Sequence, residues 1–220
     1  MADLLRYDEE DGVATLTMDD GKANALSVDM STALGAALDQ AQADARVVVL
    51  AGRSGIFCGG FDLKLIQGDD VEARERMRDA GFDLLRRLYL YPLPIVAACT
   101  GHAIAGGALL LLTADLRLGA AGEFKIGLNE VAIGRSLPPV ALELARDRLS
   151  SRHLTEAILH ARLYAPDAAC EAGFLDTLVE PDALAVEAQS RARAFLDLDA
   201  DAFSQTKTWM REATAARMAD

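Results

Sequence analysis

One plan occurs twice in this chain, and that repetition limits its fold more than any other feature. VVVLAG followed by CGGFDLKL, and PIVAAC followed by AGGALLLL, each run from an apolar strand through a loop to paired glycines and then a helix. Repeats of one supersecondary unit bury their apolar faces by stacking on one another, so the two segments read as successive turns of a spiral. A short run such as VVVLAG, without polar alternation, suits a strand covered on both faces. Mixed α/β is therefore expected. Upstream, VATLTMDD (13–20) alternates as a strand. GKANAL then turns into a helix capped by Ser27, with Met30, Leu34, Ala37, Leu38 and Ala41 at helical spacing. A charged helical stretch over 71–91 ends at Pro92 and Pro94. From Pro138 onward the pattern is helical, with one short strand near DTLVE. Leu184, Ala188, Arg191 and Phe195 mark one of the last two helices and the amphipathic TKTWMREATAARM the other. No linker or low-complexity segment divides the 220 residues.

Composition removes several classes of function. Apolar residues make up 51% of the chain, which opposes disorder. The net charge of −12 repels phosphate backbones at long range, so no nucleic-acid partner is expected. A phosphate-bearing ligand has to be held by a local cluster. No apolar run approaches the roughly 18 residues of a membrane span. The start MADLLRYDEE lacks the basic flank and apolar stretch of a signal peptide, so a cytoplasmic location away from membranes is expected. Cys58, Cys99 and Cys170 have no metal-ligand spacing and sit in apolar contexts that suit small buried hydrophobes. No metal site is expected.

Paired glycines between a strand and a helix let a ligand approach the main chain with no Cβ in the way. They also leave the first N–H groups of the helix unpaired. Two such turns facing each other could direct two donors at one oxygen, the arrangement that stabilises an oxyanion. Gly59-Gly60 and Gly106-Gly107 are equally readable, each pair taken alone, as tight packing turns. Neither stretch completes a dinucleotide fingerprint or a phosphate loop.

Taken together and in order, GIFCGGFDLK, GHAIAGGALLLLTADLRLGA and KIGLNEVAIG resemble the crotonase superfamily, the enoyl-CoA hydratase/isomerase family. The resemblance runs from about Val13 to Val179 and continues through TKTWMREATAARM. It implies a spiral of ββα repeats over 1–180 and a helical C-terminal region over 181–220 that serves as an oligomer contact. It also implies a homotrimer or a pair of trimers and acyl-CoA thioester substrates, with coenzyme A part of the substrate and no separate cofactor. By motif position, the thioester oxygen sits between the N–H groups of Phe61 and Gly106, beside Gly60 and Gly107. Backbone at Ala23 and Ala25 and from Asp62 through Leu63 to Lys64 grips the nucleotide and pantetheine, with Lys22 and Lys64 as phosphate neighbours. Exposed lysine is the default for the residue, so Lys22 and Lys64 stand equally as solvated charges. Asp62 reads best as a helix cap.

Hydratases of this family use two glutamates, and the first of those positions falls here on Leu109. Only Glu130 remains, in KIGLNEVAIG, with Ile126, Leu128, Val131 and Ile133 around it. Those neighbours are expected to desolvate the carboxylate and raise its pKa above about 4.3, so that it exchanges a proton near neutral pH. G-L-N-E, the leucine after the glycine pair and the C-terminal pattern resemble the Δ3,Δ2-enoyl-CoA isomerase branch. A single base suffices there to move a double bond from C3 to C2. A hydratase or another acyl-CoA reaction is the alternative, and a catalytically silent CoA-binding protein is a third. The bland role for Glu130 is a cap or an ion-pair acid. His102 reads as a residue that satisfies backbone groups, and His153 and His160 as helix-surface residues.

Overall fold

The computed structural model describes residues 4–218, so the ends of the segments 1–180 and 181–220 and the first residues of MADLLRYDEE lie outside the described residues. The chain opens with a hairpin of β1 (Leu5–Glu10) and β2 (Val13–Met18), paired antiparallel from Leu5↔Met18 to Glu10↔Val13. Asp11 and Gly12 join the strands, both at positive φ (53° and 82°). Asp-Gly is the pair that tolerates this in a two-residue turn whose twist matches the flanking strands. Helix α1 (Val28–Asp44) follows, with the Ser27 side chain accepting from the Met30 N–H.

The repeated plan then unfolds as a spiral. The first turn is β3 (Val47–Gly52), β4 (Gly55–Cys58) and two helices, α2 (Leu63–Gln67) and α3 (Val71–Tyr89). The second is β5 (Ile95–Cys99), β6 (Gly101–Ile104) and α4 (Gly106–Thr113), and the third begins with β7 (Leu116–Ala120) and β8 (Ile126–Gly127). In each turn the first strand joins one sheet and the second strand another. The sheet orders are β1-β2-β3-β5-β7-β9, where β9 is Thr177–Val179, and β4-β6-β8. All pairs after the hairpin are parallel.

Alternation along the strands divides the larger sheet between two cores. Leu16, Val48, Leu50 and Ala97 face α1, α3 and α4. Val13, Val49, Val96, Ala98 and Leu118 face α8 (Leu184–Phe195), where Leu184, Ala188 and Ala192 meet them. Every residue of α4 is buried, which fits a helix with no polar face. Three short helices, α5 (Pro139–Arg148), α6 (Leu154–Ile158) and α7 (Pro166–Ala172), precede β9. His153 and His160 flank α6 instead of lying on a helix face; His153 immediately precedes its first turn.

The last helix, α9 (Ala200–Arg217), docks through charge. Buried Lys207 and Arg211 reach the two oxygens of Asp115 at 2.7 and 2.8 Å, and Asp115 also accepts from the Ile95 N–H at 2.8 Å. Arg211 donates further to the carbonyls of Tyr89 and Thr113. Trp209 and Met210, which an amphipathic pattern would turn inward, are 64% and 73% exposed. Among the described residues no helix is long and apolar enough to cross a membrane.

Candidate active site

The two glycine pairs meet. A Cβ on Gly60 would lie 2.7 Å from the Ile104 carbonyl oxygen and 3.0 Å from the Gly106 nitrogen, so the end of β4 and the start of α4 touch through their main chains. A Cβ on Gly107 would lie 2.0 Å from the Cys58 carbonyl oxygen, which leaves room only for glycine. Between them, Ala105 holds φ 52° and ψ −120°, a conformation that costs a residue with a Cβ about 1–3 kcal/mol. It sets the orientation of the following peptide, whose N–H belongs to Gly106. Among the described residues neither the Phe61 nor the Gly106 N–H donates to the turn, cap and loop network.

GKANAL braces this junction from the far side. The Gly59 N–H donates to the Ala23 carbonyl and the Leu26 N–H to the Gly60 carbonyl, both at 2.8 Å. The loop itself is held by a residue the sequence does not advertise. Asn24 is fully buried at φ 50°, and its amide nitrogen donates to the carbonyls of Met18 and Phe57 at 3.0 and 3.1 Å. Its N–H and that of Lys22 donate to Asp20. The only advance hint was that Asn tolerates the left-handed region.

In front of the junction lies a cavity of about 420 Å³, lined by Phe61, Leu63, Met77, Phe82, Leu109 and Glu130 among others. The Phe61 ring is wedged between α3 and α4: it packs edge-on against Phe82 at 5.5 Å, lies where a Cβ on Gly81 would be, and would stand 3.2 Å from a Cβ on Gly106. Leu109, buried on α4, faces the same space.

Among the described residues Glu130 is the only acidic one in the lining. It precedes a single 3-10 turn (Val131–Ile133) but makes no capping bond, and its buried Oε2 has no hydrogen-bond partner among the described residues. Burial raises its carboxyl pKa, and a bond from its own backbone N–H opposes this. The carboxylate is thus neither the cap nor the ion-pair acid of the bland reading. The source of its desolvation differs from the sequence expectation. Ile126 and Leu128 are buried, but Val131 and Ile133 are 41% and 45% exposed, so the flanking residues do not enclose it jointly. The 3-10 turn carries them outward.

The other singled-out residues fall into two groups. Gly60, Gly106 and Gly107 build the junction behind the cavity, whereas Lys22, Ala23, Ala25, Asp62 and Lys64 are outside its lining. Lys22 and Lys64 are exposed. Asp62 caps α2, its side chain accepting from the Lys64 N–H at 2.8 Å. His102 accepts from the Lys125 N–H through Nδ1 at 3.0 Å, which occupies that nitrogen. Burial pushes the Cys58 thiol up to about 12, so it is no nucleophile at neutral pH. A larger cleft of about 660 Å³ lies between the main sheet and α8, near Thr15, Thr100 and Gln189, and holds none of these residues. Volume does not identify the site here; the junction does.

The chain is similar to proteins of one kind. The profile of the family described as enoyl-CoA hydratase/isomerase matches residues 8–219. The mitochondrial enoyl-CoA delta isomerase 1 of Rattus norvegicus is 29% identical over 96% of this chain and 75% of its own length. A putative enoyl-CoA hydratase of Thermus thermophilus is 34% identical over 84% of this chain and 74% of its own. The crystal structure of an enoyl-CoA hydratase/isomerase family protein from Pseudomonas syringae superposes with a TM-score of 0.95 at 42% identity, covering 98% of this chain and 93% of that one.

Proposed function

The chain belongs to the enoyl-CoA hydratase/isomerase family of the crotonase superfamily, and on that premise we propose that it shifts the double bond of a 3-enoyl-CoA to the 2 position. In this reading the ionised Glu130 removes a proton from C2. The electron pair left behind spreads as a dienolate onto the thioester oxygen, which the Phe61 and Gly106 amides receive. The carboxylic acid so formed returns the proton to C4, and the double bond comes to rest between C2 and C3. No water and no separate cofactor are consumed. Removing one donor from such a hole typically costs about 10²–10³ in rate, so the two amides account for much of the barrier lowering. Assembly as a homotrimer or a pair of trimers is part of the same proposal.

One observation favours this over hydration: the cavity holds a single carboxylate, with Leu109 facing it where a second acid would be needed to deliver water. Relatives bear both isomerase and hydratase names, so the reaction has to be measured. Spectrophotometric assays with 3-hexenoyl-CoA and crotonyl-CoA divide the readings. Conversion of the first without hydration of the second supports the isomerase. Hydration of crotonyl-CoA at a comparable rate sinks it, and binding of both without turnover leaves a silent scaffold.

A further inference from the structure

The cavity carries a charge pattern that a hydrocarbon tail does not explain. In a chain of net charge −12, its lining contains three guanidinium groups, Arg74, Arg78 and Arg135, against the one carboxylate. Two of them lie on α3 in line with the residues that hold the hole. Gly81 and Phe82 support the Phe61 ring, while Arg78 and Arg74 lie four and eight residues back from Phe82. At 1.5 Å per residue that is roughly 6 and 12 Å along the helix. Arg135 enters from the segment after Glu130 and donates to the Ile66 carbonyl at 2.7 Å; Arg74 donates to the Gly68 carbonyl at 3.0 Å. Each keeps donors to spare, because a guanidinium has five. Of the four acids on α3, Glu72 pairs with Arg76, Asp83 with Arg86 and Asp79 with Arg78 at 3.6 Å, and none of them, Glu75 included, lines the cavity.

An acyl chain whose thioester oxygen is held at Phe61 and Gly106 can run past Met77 and Phe82 toward these cations. We propose that the far end of the cavity recognises a carboxylate at the end of the acyl chain, with Arg78 and Arg74 as its partners and Arg135 closing the rim. The substrate class is then an acyl-CoA made from a dicarboxylic acid of medium length. This rests on the acyl-thioester reading of the cavity given above.

Calorimetric titration with octanoyl-CoA and suberoyl-CoA, which differ only in the terminal carboxylate, tests it without requiring turnover. Because the Arg78 side chain is 54% exposed, solvent screens the pair, and the expected preference of the native protein for suberoyl-CoA is about tenfold. Arg74→Gln with Arg78→Gln should abolish the preference and leave octanoyl-CoA affinity unchanged. Arg78→Glu should reverse it. Equal or weaker binding of suberoyl-CoA by the native protein overturns the proposal before any variant is made. An equal loss for both ligands in the double variant also overturns it, by assigning the cations to the phosphates of coenzyme A. Absence of binding by either ligand overturns the acyl-thioester reading as well, so the two failures are separable.

Discussion

Replacing Glu130 by Gln is expected to slow the reaction and stabilise the fold at once. Oε2 is buried without a partner, and burial raises the carboxyl pKa. The amide keeps the volume and removes the charge, and an unsatisfied buried group costs more charged than neutral, so at neutral pH the variant should gain about 1 kcal/mol. For a chain of this length that lifts Tm by about 2–4 °C. Between the ordinary carboxylate pKa of about 4.3 and the raised one, the native protein holds a proton that the unfolded chain releases. Stability of the unsubstituted protein therefore falls as pH rises through that window, and this group has no effect below it. The gain in Tm should accordingly be present at neutral pH and close near pH 4. Activity on 3-hexenoyl-CoA should drop by about 10²–10⁴, the range for loss of a general acid/base. In the unsubstituted enzyme, kcat/KM should rise through a pKa above the ordinary carboxylate range. A variant within about threefold of full activity, or one less stable by the same amount at both pH values, refutes the reasoning.

Other perturbations probe the supports of the site. Leu109→Glu places a second carboxylate in the cavity; it should cost about 3 kcal/mol as an unpaired buried acid, slow double-bond migration and make hydration of crotonyl-CoA detectable, and unchanged product ratios contradict this. Gly81→Ala brings a methyl to 2.2 Å from the Phe61 ring, so kcat should fall tenfold or more for a stability loss of about 1–3 kcal/mol; unaltered kcat would show that the ring does not set the Phe61 amide. Asp115→Asn strands two buried cations and should cost about 3–5 kcal/mol in a denaturant titration, and a loss under about 1 kcal/mol contradicts the charged docking of α9.

What the sequence disclosed and what it withheld follow from the range of the forces involved. The spiral was legible because it is written locally, as apolar runs, turns and glycine pairs within a few residues of one another. The crowding at Gly107 had the same local signature. The hairpin strand Leu5–Glu10 has only the Asp11-Gly12 turn to announce it, since its exposed, charged sequence carries little apolar pattern. Asn24 was invisible for another reason: its importance lies in three carbonyls contributed by separate segments. Nothing near Lys207 and Arg211 in sequence announces Asp115, 92 residues away for the first. Val131 and Ile133 misled in the opposite sense. Proximity in sequence suggested a shared burial that one 3-10 turn undoes.

The outward position of Trp209 has a practical corollary. It is the single indole of the chain, set on α9 away from the cavity and the cores. Its ultraviolet emission is consequently deaf to substrate entry and to repacking around Glu130. A blue shift on concentrating the protein would mark one specific event, the covering of that helix by a neighbouring molecule.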